Sequence, residues 1–345
     1  MPEKRNYYTE KPPKDSRFHK AYLDGINTFL EKSRQAENQK RNEFISPALY
    51  KKDPEFYRQK LCKQLGYPLT KPKVTPKLLE KNFVIKDSNV NIYRMVFEFW
   101  DSIPLYGIYF EQTENAEKAP FIIAQHGGQG TPEIISSFYS DSGNYYHMVR
   151  RLTDKGANVF APQLLLWHEE QYGTPYHRSE IDGKLRQLGG SITALELYMM
   201  RGSIDYFVEN ENINSDRLGV VGLSYGGMYS LHLAAIDPRI KACYSCSWVS
   251  DEFKYSWADW SYQNAQLAFG TVETAAMVAP RALTVAMGNR DQLFGSELTV
   301  KACDKIKDYY SEFGRTDKFL PVIFDGGHAF DKADTEIDFI FNSLL

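Results

Sequence analysis

The chain has 345 residues, of which 43% are hydrophobic and 25% charged, with a formal net charge of −3. This is long enough to bury a substantial core, as one large α/β unit or two small ones, and the composition is that of a soluble globular enzyme. A pI of about 6.2 leaves no basic field for a nucleic acid, and no run of 18 apolar residues offers a membrane-spanning helix.

Residues 1–80 are polar and rich in Lys, Glu and Asn, with helix-like stretches at Phe18–Ser33 and Asp53–Leu65. Pro68, Pro72 and Pro76 then read as a connector. These features predict an N-terminal helical extension that packs on the main body or on another subunit, a structural appendage without chemistry of its own. Met1–Tyr8 lacks the apolar stretch of a signal peptide, so a cytoplasmic location is expected.

Residues 81–345 change character and predict the catalytic unit. Phe83–Ile85, Val90–Phe99 and Leu105–Phe110, with a turn at Pro104, read as an antiparallel start to a sheet. Strands and helices then alternate. Strands are expected at Phe121–Ala124, Ala157–Ala161, Arg217–Leu223, Ile240–Val249, Arg281–Met287 and Leu320–Phe324. Helices are expected at Tyr145–Lys155, Ser191–Glu209, Tyr225–Ile236, Leu298–Phe313 and Asp331–Leu345. Such alternation implies an α/β fold with a mostly parallel twisted sheet and helices on both faces. Long connections at 162–190 and 248–280 interrupt it and read as functional loops, both following strand C-termini, where such sheets place their ligands. The four cysteines, Cys62, Cys243, Cys246 and Cys303, read as free thiols in a reducing compartment. Cys243 and Cys246 are three apart in a strand, on opposite faces, which argues against a shared metal.

The chemistry is concentrated at Gly222-Leu-Ser224-Tyr-Gly-Gly227, a sharp turn between a predicted strand and a predicted helix. A serine at such a tip is held in a strained backbone conformation, and glycines two residues to either side relieve collisions with the neighbouring chain. Ser224 then needs a base and an orienting carboxylate. Of seven histidines, His328 follows the last strand in Phe324-Asp-Gly-Gly-His328, where glycines let a loop bring the imidazole over the serine. His232 lies two turns along the helix after Ser224 and is expected to point away. Asp291, in the turn Gly288-Asn-Arg-Asp291, is the expected acid, with Asp251 after the preceding strand as the alternative. The order Ser, Asp, His is that of nucleophile elbows on α/β sheets. An oxyanion requires two amide donors. Tyr225 N–H is one, and the glycine loop His126-Gly-Gly-Gln-Gly130 supplies the other, from Gly128 or, next, Gly127. His126 is expected to serve as a structural hydrogen-bonder. The loop is followed by no Lys-Ser/Thr, as a phosphate-binding loop would require.

Gln125-His-Gly-Gly-Gln-Gly130, Gly222-Leu-Ser-Tyr-Gly-Gly227, Gly288-Asn-Arg-Asp291 and Gly326-Gly-His328 together resemble the α/β-hydrolase superfamily, and within it the dienelactone-hydrolase-like and acetyl-xylan-esterase-like branch. The resemblance spans about residues 82–345. It implies a serine esterase with no metal or organic cofactor, acting on a small-molecule ester, an acylated sugar among them. Dienelactone hydrolases use a cysteine nucleophile, whereas this chain has Ser224, which implies plain ester hydrolysis. Cephalosporin-deacetylase-type esterases carry Gln after the serine and an Arg-Gly-Gln-Gly loop, whereas this chain has Tyr225 and no such Arg. By loop position, Tyr106, Trp167, His168 and Trp248 are expected to border the substrate. The stretch with Trp248, Trp257, Trp260, Tyr262 and Phe269 reads either as a stacking platform for sugars or as hydrophobic lid or homo-oligomer packing. Two other functions remain open: a serine peptidase of the prolyl-oligopeptidase kind, although 80 residues are too few for its propeller, and a non-catalytic binding protein on the same scaffold.

Overall fold

In the computed structural model the described residues are 7–345 apart from 12, 13, 15, 74, 140, 141, 168–175, 212 and 256–263. Trp257, Trp260, Tyr262 and His168 therefore lie outside the described residues. Nine strands form one sheet: β1 Lys77–Asp87, β2 Val90–Phe99, β3 Ile103–Gln112, β4 Phe121–Gln125, β5 Asn158–Pro162, β6 Leu218–Leu223, β7 Ile240–Cys246, β8 Ala282–Gly288 and β9 Phe319–Phe324. Their spatial order is β1-β2-β3-β5-β4-β6-β7-β8-β9. β1, β2, β3 and β5 pair antiparallel in sequence, and every pair from β5 through β9 is parallel. Every residue of β4, β5, β6 and β8 is buried, because helices cover both faces, and the strands accordingly read as continuous apolar runs. From β4 the chain crosses to β5 on one side, and from β6 it crosses to β7 on the other. The β4–β6 boundary is thus a topological switch point, and the crevice beyond its C-terminal ends is where ligands bind in such sheets.

The helices are α1 Arg17–Phe44, α2 Pro47–Lys52, α3 Pro54–Leu65, α4 Pro132–Ile135, α5 Met148–Asp154, α6 Arg178–Gln187, α7 Ile192–Asn210, α8 Tyr225–Ile236, α9 Thr271–Ala276, α10 Ser296–Glu312 and α11 Thr335–Leu344. All twelve residues of α8 are buried, as expected for a helix that is apolar all round and sits under its neighbours. Tyr50, Tyr57, Leu61 and Leu65 of α2 and α3 enter the same core as α7, α8 and α10. The Tyr50 hydroxyl donates to Met277 O at 2.6 Å. No helix among the described residues is long and apolar enough to cross a membrane.

Some boundaries differ from expectation for local reasons. The strand expected to reach Val249 stops at Cys246, because Ser247 turns into positive φ (50°). The helix expected from Tyr145 begins at Met148, because Tyr146 and His147 take left-handed backbone (φ 45° and 58°). The helix expected from Asp331 starts at Thr335. The Arg151 guanidinium holds the preceding turn open through Asp331 O at 2.6 Å and Asp334 Oδ1 at 2.9 Å. The short helices α2 and α4 were not expected; each begins with an N-cap followed by a first-turn proline, Ser46-Pro47 and Thr131-Pro132.

One buried carboxyl carries a pH consequence. Glu336, in the first turn of α11, is 1% exposed, and its Oε2 finds no hydrogen-bond partner among the described residues. Burial, with the neighbouring Asp331 carboxylate, pushes its pKa up to about 7. The folded value lies above the unfolded one, so its contribution is fully present below the unfolded value and is lost as pH rises through about 7. Glu336→Gln keeps the neutral shape. Its melting temperature relative to wild type is expected to be about 2–4 °C more favourable at pH 8 than at pH 5, measured by calorimetry. An equal difference at both pH values would refute the account.

Candidate active site

The turn after β6 places Ser224 at φ 60°, ψ −121°, a region that non-glycine residues adopt only under constraint. The constraint is close packing. A Cβ on Gly222 would lie 2.3 Å from the Gly226 backbone, and one on Gly226 would lie 2.3 Å from Gln125 O. Only glycines let α8 start this near to β4 and β6. Ser224 N–H donates to Cys246 O at 2.8 Å, which ties the elbow to the end of β7.

The ends of β8 and β9 bring a second pair of residues together. Asn289 N–H donates to Phe324 O at 2.9 Å and Arg290 N–H to Gly326 O at 2.8 Å, so the two following turns run side by side. Their outcome is a contact of 2.9 Å between His328 Nδ1 and Asp291 Oδ2. The Asp291 side chain is fully buried and that of His328 is 20% exposed. Asp291 Oδ1 accepts the N–H groups of Leu293 and Phe294 at 2.9 and 3.0 Å. Burial disfavours its ionisation, but the His328 hydrogen bond and charge, with those two amides, outweigh burial and hold the carboxyl below the usual aspartate value. An ionised Asp291 accepts at Oδ2, which fixes the proton of His328 on Nδ1 and leaves Nε2 as an acceptor. The His328 ring lies 5.6 Å from Phe294, and its carbonyl accepts from Asn144 Nδ2 at 2.9 Å.

The other expected residues fall as follows. Asp251, the alternative acid, is engaged by Arg34 of α1 at 2.6 Å. It lines a cavity of about 250 Å³ between α1 and the body, a cavity that includes none of Ser224, Asp291 and His328. His232 points into the core, where its Nδ1 meets Met228 O at 2.9 Å and burial lowers its pKa to about 4. In the glycine loop, His126 Nε2 accepts the Leu164 N–H at 2.9 Å, so Nδ1 carries the proton and donates to Gly127 O at 2.9 Å. The bond from Leu164 joins the loop after β4 to the one after β5.

Two expectations need correction. Gly127 N–H is already given to the Tyr145 hydroxyl at 2.8 Å, which takes it out of the pair of candidate donors. Trp248 is 2% exposed and belongs to the core, edge-on to Phe294 at 5.9 Å. It offers no open face to a substrate. Trp167, by contrast, is 39% exposed. Its N–H donates to Gly128 O at 2.8 Å, and its ring meets Tyr225 edge-on at 5.3 Å.

What holds Trp167 there was not anticipated. Arg178 of α6 is buried with Glu196 of α7, through bonds of 3.2 and 3.0 Å from its two terminal nitrogens, and it also donates to the Tyr229 hydroxyl at 2.7 Å. Tyr229 in turn donates to Glu196. The same pair grips Leu165 at both ends: Leu165 N–H donates to Glu196 Oε1 at 2.9 Å, and Arg178 donates to Leu165 O at 2.5 Å. The one available signal was a lone Glu in the apolar run Ile192–Met200, since a carboxylate is carried into a core only with a partner.

A mostly parallel sheet, a strained serine elbow after β6, an acid turn after β8 and a histidine turn after β9 define the α/β-hydrolase fold. No protein-family model matches the chain. In sequence it is 26% identical over 243 residues to the "Putative hydrolase YtaP" of Bacillus subtilis (strain 168), a match covering 66% of this chain and 78% of that protein. In structure it resembles a "putative acetyl xylan esterase" from Bacteroides fragilis NCTC 9343, with a TM-score of 0.66 and 15% identity over 81% of this chain and 76% of that one. It also resembles a glucuronoyl esterase from Solibacter usitatus, with a TM-score of 0.64 and 13% identity over 87% and 94% of the two chains. At these identities the structural likeness establishes the fold.

Proposed function

We propose that the protein is a serine hydrolase of carboxylic esters, with Ser224, His328 and Asp291 as its triad and a small acylated sugar as its substrate. The observation that carries this reading is the 2.9 Å Asp291–His328 pair on the turns beyond β8 and β9, at the same C-terminal edge of the sheet as the strained Ser224 beyond β6. Ser224 Oγ attacks the acyl carbon while His328 Nε2 takes its proton. The amides of Tyr225 and Gly128 stabilise the oxyanion. His328 then protonates the leaving alkoxide, and an acyl-enzyme remains. Water enters, gives a proton to His328 and attacks the acyl carbon, and the acid leaves as Ser224 regains its proton. Asp291 holds the imidazole in the productive tautomer and balances its charge. The names of the structural neighbours favour esters of carbohydrates, an acetyl ester in one and a glucuronoyl ester in another, and the partly exposed Trp167 beside Gly128 supports a sugar ring stacking there. The four free cysteines support a cytoplasmic setting.

The test is a panel of p-nitrophenyl acetate and butyrate, acetylated xylo-oligosaccharides, a methyl glucuronate ester and a prolyl peptide anilide. It runs beside labelling with a fluorophosphonate mapped by mass spectrometry. Hydrolysis of short esters and an adduct on Ser224 are expected. Neither hydrolysis nor adduct would leave a binding protein, and cleavage of the anilide alone would leave a peptidase. A second prediction concerns Gly128. A Cβ there would lie 2.7–2.8 Å from the Trp167 ring, which can yield because it is half-exposed. Gly128→Ala is therefore expected to fold normally and to lose about 10²-fold in kcat, since the amide donor is displaced with the ring. A wild-type kcat in this variant would remove Gly128 from the oxyanion site.

A further inference from the structure

The first half of α1 has no place in its own body. Its anchored half begins at Arg34, which meets Asp251 at 2.6 Å and lies over Phe253 at 4.7 Å. Arg41 meets Glu273 at 3.3 Å, and Phe44 meets Phe269 at 5.8 Å. Every residue from 17 to 32 is exposed. Yet this segment carries Phe18, Tyr22, Leu23, Ile26, Phe29 and Leu30, exposed by 72, 73, 58, 38, 69 and 44%. Their spacing of four, four and three residues puts them on one side of the helix, and that stripe runs on into the side that the anchored half lays against the body.

We propose that this stripe is the interface with a second copy of the same chain, the two α1 helices packing antiparallel across a two-fold axis. Area is the first argument. At about 150–250 Å² for an aromatic side chain, and slightly less for an aliphatic one, the six residues expose roughly 650 Å². A monomer rarely leaves a contiguous apolar patch of that size in water. Pairing two such stripes removes about 1,300 Å², which falls within the range of stable dimers. Shape is the second. The patch is narrow and follows one helix axis, so its natural complement is another copy of itself, as an isologous contact requires. Each body is attached at the C-terminal end of α1, and only the antiparallel arrangement keeps the two bodies at opposite ends. Gly25 is the third. It lies three residues after Tyr22 and four before Phe29, and a Cβ there would meet nothing in its own chain. Glycine weakens a helix interior relative to alanine, whereas a partner helix approaching closely benefits from the missing Cβ. The flanks carry both signs of charge, Arg17, Lys20, Lys32, Asp24 and Glu31, so no like-charge barrier opposes the contact.

Sedimentation velocity and light scattering on the full chain at about 1–50 µM test the proposal. The wild type is expected at twice the 39.7 kDa chain mass. Tyr22→Glu/Phe29→Glu is expected at the monomer mass, with its dissociation constant raised at least about a hundredfold and its near-UV circular dichroism unchanged. Leu188→Glu, at a position 71% exposed on another surface, is the control and is expected to stay dimeric. A wild type that is monomeric at the highest concentration overturns the proposal, even if it binds lipid vesicles. So does a double variant that remains dimeric, or a control that dissociates as readily. The outcome does not depend on whether the protein hydrolyses esters.

Discussion

Replacing Ser224 by Ala is expected to lower kcat/KM for p-nitrophenyl acetate by about 10⁴-fold or more, and Asp291→Asn by about 10³–10⁴-fold, with both variants folded. The aspartate effect follows from geometry. Asp291 Oδ1 accepts two backbone N–H groups at 2.9 and 3.0 Å. An Asn at this position must keep its carbonyl there and turn its NH₂ toward His328. That forces Nδ1 to accept and moves the imidazole proton to Nε2, where the ring can no longer take one from Ser224. Asp251→Asn is expected to stay within about threefold of wild type, because its carboxylate is committed to Arg34 at 2.6 Å. Comparable losses in both aspartate variants would return Asp251 to the acid's role. Full activity in Asp291→Asn would dismiss the Asp291–His328 pair as structural.

The parts of this site that were legible in sequence are those that chemistry ties to local pattern. Ser224 was readable because the elbow needs glycines at 222 and 226, and the 2.3 Å approaches there show the reason. His328 and Asp291 were readable because each sits on a turn directly after an apolar strand. Gly127 was misjudged, since nothing in the sequence says that the Tyr145 hydroxyl, eighteen residues on, will take its amide. Trp248 was misjudged for a similar reason: its place just after β7 does not show that it will be buried against Phe294. The helical nature of residues 17–44 was legible over half its length. The charge-rich second half was not, since Arg34 and Arg41 point to partners more than two hundred residues away. Long-range polar contacts leave no periodicity behind them.

The Arg178–Glu196–Tyr229 cluster is the clearest case, and its disruption is expected to cost the most stability. The side chains of Arg178 and Glu196 are 3% and 4% exposed. Removing one partner takes the ion-pair partner from a charge that stays buried, so Glu196→Ala is expected to destabilise the fold by about 3–5 kcal/mol in urea unfolding. Arg178→Ala should fall in the same range. The double variant should lose clearly less than the two single losses combined, because both charges of the pair are then removed together. Additive losses would show that each residue acts through separate packing. The cluster also has a catalytic readout. Glu196 and Arg178 hold Leu165, two residues before Trp167, whose N–H in turn binds Gly128 O. Under conditions where Glu196→Ala remains folded, kcat for short esters is expected to drop about tenfold or more, as the Gly128 amide loses its fixed direction. A variant of much lower stability but unchanged kcat would confine the cluster to supporting the core. A fall in both ties the buried ion pair to the Gly128 amide proposed as an oxyanion donor.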